Sequence, residues 1–281
     1  MKKKLISFVL VIIFGVIFLS FHVFSSNQLN AVALGDSITT GYGLSDDEKN
    51  YVNIIGDEYN FNIVNLANNG DTTAMLLQHL KEEKYREQLK KSNIIFLDIG
   101  SNDVLQSFLD CIADSLAIKD KSGDLSFKIS STIQNDPIKA YTLLPLYFQE
   151  GTPEYQTLNE KLNGYLKQFD SNYRDIINTI QEIAPESRII ILNIYNPFKG
   201  IQSGQVNFDK ASDAFIQNFN EVIAKVANES GLNVVDIHTA FETYEGSEPL
   251  TKSDIATANL DPHPTAAGQR LIAKFVKTAL K

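Results

Sequence analysis

The sequence predicts a single three-layer α/β/α domain built on five parallel strands. Three observations carry this. Five short apolar runs recur along the chain, separated by longer amphipathic stretches, as in βαβ units. Most of these runs end in polar or glycine-containing clusters, such as Gly35-Asp36-Ser37 and Gly100-Ser101-Asn102-Asp103. The chain has 281 residues, 43% of them hydrophobic, enough for one sizeable core. Helices are expected on both sheet faces, with right-handed crossovers.

Taken in order, Ala31 to Leu34 is the first strand. Asp46 to about Tyr59 reads as a helix whose start is favoured by Asp46, Asp47 and Glu48. Asn62 to Leu66 is the second strand, and Asn68-Asn69-Gly70-Asp71 is a turn cluster. A helix capped by Thr72 or Thr73 is expected to reach about Lys90. Asn93 to Ile99 is the third and clearest strand. Residues 104–150 begin helically and then lose any clean period. Pro153 to about Ile183 carries a long helical pattern that Asp170-Ser171-Asn172 can bend or split. Arg188 to Ile194 is the fourth strand, and residues 198–206 read as a loop over the sheet edge. Phe208 to about Ser230 is helical, Asn233 to Ile237 is the fifth strand, and Thr265 to Leu280 is a closing helix.

The first residues form a separate region. Met1-Lys2-Lys3-Lys4 is followed by an almost unbroken apolar run from Leu5 to about Phe24. Twenty residues suit a membrane span and are long for a signal core. Residues 1–26 are therefore expected to be a signal peptide or a membrane anchor, and 27–281 the folded domain. Either form exports the rest of the chain, because the lysines stay on the cytoplasmic side. Without residues 1–25 the 25 basic residues fall to 22 against 34 acidic ones, a net charge of −12. That excludes nucleic acid as a partner and disfavours a polybasic grip on anionic lipid. The oligomeric state is not legible. The single cysteine, Cys111, can form no intramolecular disulfide and reads as a small core residue.

In an open parallel sheet the reacting groups gather at the carboxyl ends of the strands. Ser37 follows the first strand, Gly70 the second and Asn102 the third. Asp261-Pro262-His263-Pro264-Thr265 precedes the last helix. A serine needs a base and an oxyanion site to act as a nucleophile. Of the four histidines, His22 lies in the apolar run, His79 in mid-helix and His238 beside Asp236. His263 sits between two prolines that restrict its backbone, which suits a base that must meet Ser37. Asp261 is placed to hold the imidazole tautomer, with Asp254 as an alternative. The N–H groups of Ser37 and Gly70 and the Asn102 amide are suitable oxyanion donors.

Gly35-Asp36-Ser37, Gly70, Gly100-Ser101-Asn102-Asp103 and His263-Pro264, in this order over nearly all of residues 31–280, resemble the four blocks of the GDSL, or SGNH, hydrolases. The resemblance implies a flavodoxin-like sheet and hydrolysis of esters or thioesters without metal or other cofactor. It makes Ser37 the nucleophile and His263 the base. The Ser37 N–H, Gly70 and Asn102 surround the oxyanion. The family usually places its acid three residues before the histidine, where this chain has Leu260, so Asp261 takes the role one step closer. The first block reads Gly-Asp-Ser-Ile rather than Gly-Asp-Ser-Leu, an apolar exchange.

The expected function is therefore that of an exported serine esterase or lipase-like acylhydrolase acting on a small-molecule or lipid ester. Residues 104–150 would overhang the site as a cap, with Leu105 and Phe108 among its apolar residues, or pack as an extra helical layer. Two alternatives stand beside this reading. One is a cell-wall carbohydrate O-deacetylase, which calls for a shallow polar site. The other is a catalytically silent, membrane-tethered binding module, against which the intact Ser37, Gly70, Asn102 and His263 set argues.

Overall fold

The structure, a computed structural model, describes residues 28–123, 125–136, 138, 146, 151–203, 206–254 and 261–281. In chain order the described elements are β1 (Asn30–Gly35), α1 (Ser37–Thr40), α2 (Tyr51–Tyr59), β2 (Asn62–Asn65), α3 (Thr73–His79), α4 (Glu83–Lys90), β3 (Ile94–Asp98), α5 (Ser101–Ser115), α6 (Leu125–Asn135), α7 (Pro153–Ile183), β4 (Arg188–Leu192), β5 (Gln202–Ser203), β6 (Val206–Asn207), α8 (Phe208–Glu229), β7 (Val234–Val235), α9 (Ile237–Glu242) and α10 (Ala266–Leu280). Five strands form one parallel sheet in the order β2-β1-β3-β4-β7, the doubly wound arrangement of flavodoxin-like folds.

The strands are apolar on both faces because both faces are covered. Val32, Leu34, Ile95, Leu97, Ile189 and Ile191 point into a core with α3, α4, α5, α7 and α8. Their neighbours Ala31, Ala33, Ile94, Phe96, Ile190 and Leu192 point into a second core with α2, α9 and α10. This side-to-side alternation is the two-residue period of a strand buried twice. Three asparagines tie the amino edge. The Asn30 N–H donates to Asn93 Oδ1 at 2.9 Å, and Asn62 Nδ2 donates to Asn30 Oδ1 at 2.8 Å.

Several boundaries differ from the sequence expectation. Helix α2 starts at Tyr51, where the Asn50 side chain accepts from the Asn53 N–H. Glu48 is instead used in a turn, accepting from the Ser45 N–H. The expected helix 73–90 is two helices, because Leu80 to Glu82 turn between α3 and α4. Helix α7 runs unbroken through Asp170-Ser171-Asn172, since Asn172 is buried and its amide donates to Thr73 Oγ1 at 3.1 Å. The loop 198–206 contains a short antiparallel pair, β5 and β6. The fifth sheet strand shrinks to two residues, because the Asp236 side chain caps α9 by accepting from the Thr239 N–H.

The described residues of the span 104–150 fall into two groups. Val104, Leu105 and Phe108 on α5 line a pocket described below. Ala113, Leu116 and Ile129 form a small separate core that holds α6 against α5. Tyr141, Leu143, Leu144, Tyr147 and Phe148 lie outside the described residues, as do residues 1–26 and Leu260. Among the described residues no helix is long and apolar enough to cross a membrane.

Candidate active site

Strand β1 delivers Ser37 to the carboxyl edge of the sheet. A Cβ on Gly35 would lie 2.5 Å from the Asp98 carbonyl oxygen and 2.4 Å from Thr39 Oγ1, so only glycine fits between β3 and the turn. Asp36 caps α1, its Oδ1 accepting from the Ile38 N–H at 2.9 Å. Ser37 is then the first helical residue, and its N–H has no acceptor within the helix.

The last loop brings the base. His263 Nε2 lies 3.0 Å from Ser37 Oγ, across 226 positions of sequence. On the other side of the ring, Nδ1 lies 2.5 Å from Asp261 Oδ1, which also accepts the His263 backbone N–H at 3.0 Å. Burial pushes the Asp261 carboxyl up. The two hydrogen bonds from His263 and the nearby Lys252 charge outweigh it and hold the group below the ordinary carboxylate range. The loop is clamped at three points. The Tyr195 hydroxyl donates to the Pro262 carbonyl at 2.8 Å, the Lys252 N–H donates to the His263 carbonyl at 2.9 Å, and Thr265 caps α10. Tyr42 packs on the imidazole, ring centroids 4.8 Å apart. Asp254, the alternative orienter, is exposed, and Asp261 is the carboxylate that meets the ring.

Asn102 stands at the start of α5, on the pocket wall beside Ser37. Its amide nitrogen donates to the Asp71 carbonyl at 2.9 Å and more weakly to Asp36 Oδ2 at 3.3 Å. Gly70 lies on an exposed turn with φ of +83°, a conformation that favours glycine. Thr40 Oγ1 ties this turn to the nucleophile's helix by donating to Asn69 Oδ1 at 2.6 Å. The Gly70 N–H makes no hydrogen bond among the described residues. The structure thus brings Ser37, His263, Asp261 and Asn102 into contact or onto one wall. Gly70 sits at the rim, outside the lining of the pocket.

Beneath the site lies a buried acidic pair. Burial, and then the charge of Asp98, push the Asp36 carboxyl well above its usual range. Asp98 is raised to about 6 by burial, although hydrogen bonds from Thr39 and Tyr51 favour its charged form. Asp103 accepts the Thr73 N–H and hydroxyl at 2.9 and 2.6 Å and so fastens α5 to α3. Beyond Ser37 opens a pocket walled by Leu105, Phe108, Ile194, Phe198, Phe215 and Ile216. Ser37, Asn102 and His263 supply polar groups at its wall.

The other histidines are engaged elsewhere. His79 pairs with Glu82 and Asp71 and stacks on Tyr85. His238 is buried, with Nε2 2.7 Å from Asp213 Oδ1. Cys111 is a buried free thiol that burial pushes up to about 11, so it is inert. Sequence reasoning assigned no role to Tyr42, Tyr195, Asp98 or Asp103, although Asp103 stands in the Gly100-Ser101-Asn102-Asp103 block. Tyr195 and Asp98 each terminate or follow an apolar strand run, which was the available signal. Tyr42 carried none.

The sequence profile of the GDSL-like lipase/acylhydrolase family matches residues 33–271. The chain belongs to this family. The match spans the first block, the Asn102 block and the His263 loop. Among the relatives of this GDSL-like chain, the Bacillus subtilis protein YpmR is 25% identical over 259 residues, covering 89% of this chain and 80% of that one. The spore germination lipase LipC of Bacillus licheniformis is 23% identical over 257 residues, covering 89% and 96%. The fold is shared with a goat rumen metagenome lipase, Lip_vut3, at a TM-score of 0.59 and 22% identity, covering 90% and 97%. An extracellular lipase from Streptomyces rimosus matches at a TM-score of 0.57 and 21% identity, covering 90% and 100%.

Proposed function

We propose that this GDSL-family hydrolase cleaves carboxylic esters with an apolar acyl chain, with Ser37 as nucleophile, His263 as base and Asp261 as the group that orients it. The observation that carries the reading is the 3.0 Å contact between His263 Nε2 and Ser37 Oγ at the wall of an apolar pocket. Ser37 Oγ attacks the acyl carbonyl carbon while its proton passes to Nε2. Asp261 stabilises the imidazolium that forms and keeps Nδ1 protonated. The oxyanion faces the Ser37 N–H, the Gly70 N–H and the Asn102 amide, whose weaker contact to Asp36 is the one an oxyanion would replace. The alcohol departs with the proton from Nε2. A water, deprotonated by the same nitrogen, then releases the acid.

The pocket favours an acyl chain over an acetyl group alone. Away from the polar groups its walls are mainly leucine, isoleucine and phenylalanine side chains, each methylene buried there contributing about 0.8 kcal/mol. The O-deacetylase alternative calls for a shallow polar site. Lipases and a phospholipase A1 from Streptomyces albidoflavus are among the proteins that share the fold, which supports lipid-type esters as the class. Export by residues 1–26 belongs to the same proposal, on the strength of the three lysines and the apolar run after them. Mass spectrometry of the chain's N-terminus tests it.

The deciding experiment is hydrolysis of p-nitrophenyl esters from acetate to palmitate, with Ser37→Ala as control. Turnover rising from acetate to medium chains, and lost in Ser37→Ala by about 10⁴-fold or more, is the expected outcome. No turnover on any ester would leave the binding-module reading standing.

A further inference from the structure

We propose that Asp213, His238 and Glu242 form a Zn²⁺ site that links α8 to α9, separate from the serine chemistry. One ligand atom from each residue lies within 4.8 Å of the others. His238 and Glu242 are four residues apart on α9, so their side chains project from one helix face. Asp213 comes from the opposing helix α8, two residues before Phe215 in the pocket wall.

Two features set this group apart from an ordinary surface ion pair. Glu242 Oε1 is buried and has no hydrogen-bond partner among the described residues. A carboxylate oxygen shielded from water with nothing to accept from is costly unless a cation or proton satisfies it. Lys199 is close, but its ammonium donates to the backbone carbonyls of Phe241 and Glu242 rather than to that oxygen. Second, the histidine is anchored through its backbone, with ring Nε2 turned to Asp213. The His238 backbone N–H donates to Asn193 Oδ1 at 2.9 Å, and the Gln217 amide nitrogen lies beside the ring edge, 3.4 Å from Nδ1 and 3.3 Å from Nε2.

The donor set selects the ion. One imidazole nitrogen and two carboxylates suit a divalent transition ion such as Zn²⁺, whereas Ca²⁺ and Mg²⁺ prefer oxygen alone. The two carboxylates neutralise the ion, and the contact between His238 Nε2 and Asp213 Oδ1 needs to open by under 1 Å to admit it at about 2.1 Å from each. The role is structural. The ion would brace the α8 wall that carries Phe215 and Ile216, and it takes no part in ester cleavage.

The test uses the full-length chain, stripped with EDTA and titrated with Zn²⁺ against a chelating dye, with thermal unfolding in parallel. One Zn²⁺ per chain and a raised Tm are expected. Asp213→Asn and Glu242→Gln should each weaken binding by about tenfold or more and abolish the Tm shift. Wild-type ester turnover in Asp213→Asn shows that the variant is folded. Three results overturn the proposal: no Zn²⁺ retained at micromolar concentration, equal retention by both variants, or retention of Ca²⁺ in preference to Zn²⁺.

Discussion

Asp261 Oδ1 holds His263 twice, through the backbone N–H at 3.0 Å and through ring Nδ1 at 2.5 Å. The two residues are only two positions apart, so the carboxylate fixes both the ring's tautomer and the path of the loop that carries it. Asp261→Asn keeps the shape but can present an amide N–H to Nδ1, favouring the tautomer with Nε2 protonated. We expect kcat to fall by roughly 10²–10⁴-fold with KM little changed. Stopped-flow or steady-state ester kinetics measure it. An unchanged kcat would remove Asp261 from the mechanism.

In the proposed mechanism Asn102 faces the developing oxyanion; Asn102→Ala removes that donor and leaves Asp71 O and Asp36 Oδ2 without their amide partner. The expected loss is about 10²–10³-fold in kcat. A chain-length series separates this from a binding defect, because the loss should be the same for every ester.

Leu105 is half-buried in the pocket wall. Leu105→Trp fills space that a chain would occupy. The kcat/KM for octanoate should drop at least about tenfold while that for acetate stays within a few-fold, since each excluded methylene is worth about 0.8 kcal/mol. A uniform loss across the series would place the acyl chain elsewhere.

Asp98 titrates near 6 in the fold because it is buried, against an ordinary value near 4 when unfolded. The folded state therefore binds the extra proton between these values. Its stability contribution is complete below pH 4 and lost as pH rises through 6. Asp98→Asn removes this cost. The Tm of the variant minus that of the wild type should move upward by roughly 5 °C between pH 4.5 and pH 8. A difference independent of pH would show that Asp98 is not the titrating group.

The strands and the rim were legible because each is a local pattern with a long-range meaning. Ala31 to Leu34 and Ile94 to Leu97 are apolar at every position, as strands buried on two faces must be. The polar residues after them had to lie on one edge. What stayed hidden depends on contacts between distant residues. Tyr42 gains its place only because the His263 loop folds back over it. The Asp213, His238 and Glu242 group needs α8 and α9 side by side. The starts of α2 and α9 were missed for a different reason. Asn50 and Asp236 cap them with side-chain hydrogen bonds, which override the charge pattern of Asp46 to Glu48 and the apolar run through Ile237.

Strand β1 enters the sheet at Asn30 and ends at Gly35, two positions before Ser37. At about 3.3 Å per residue it spans roughly 20 Å, the full thickness of the sheet from its asparagine-tied edge to its reacting edge. Gln28 and Leu29 therefore enter the domain at the end of the sheet opposite the nucleophile, and a change in their contacts reaches Ser37 only through the whole length of β1.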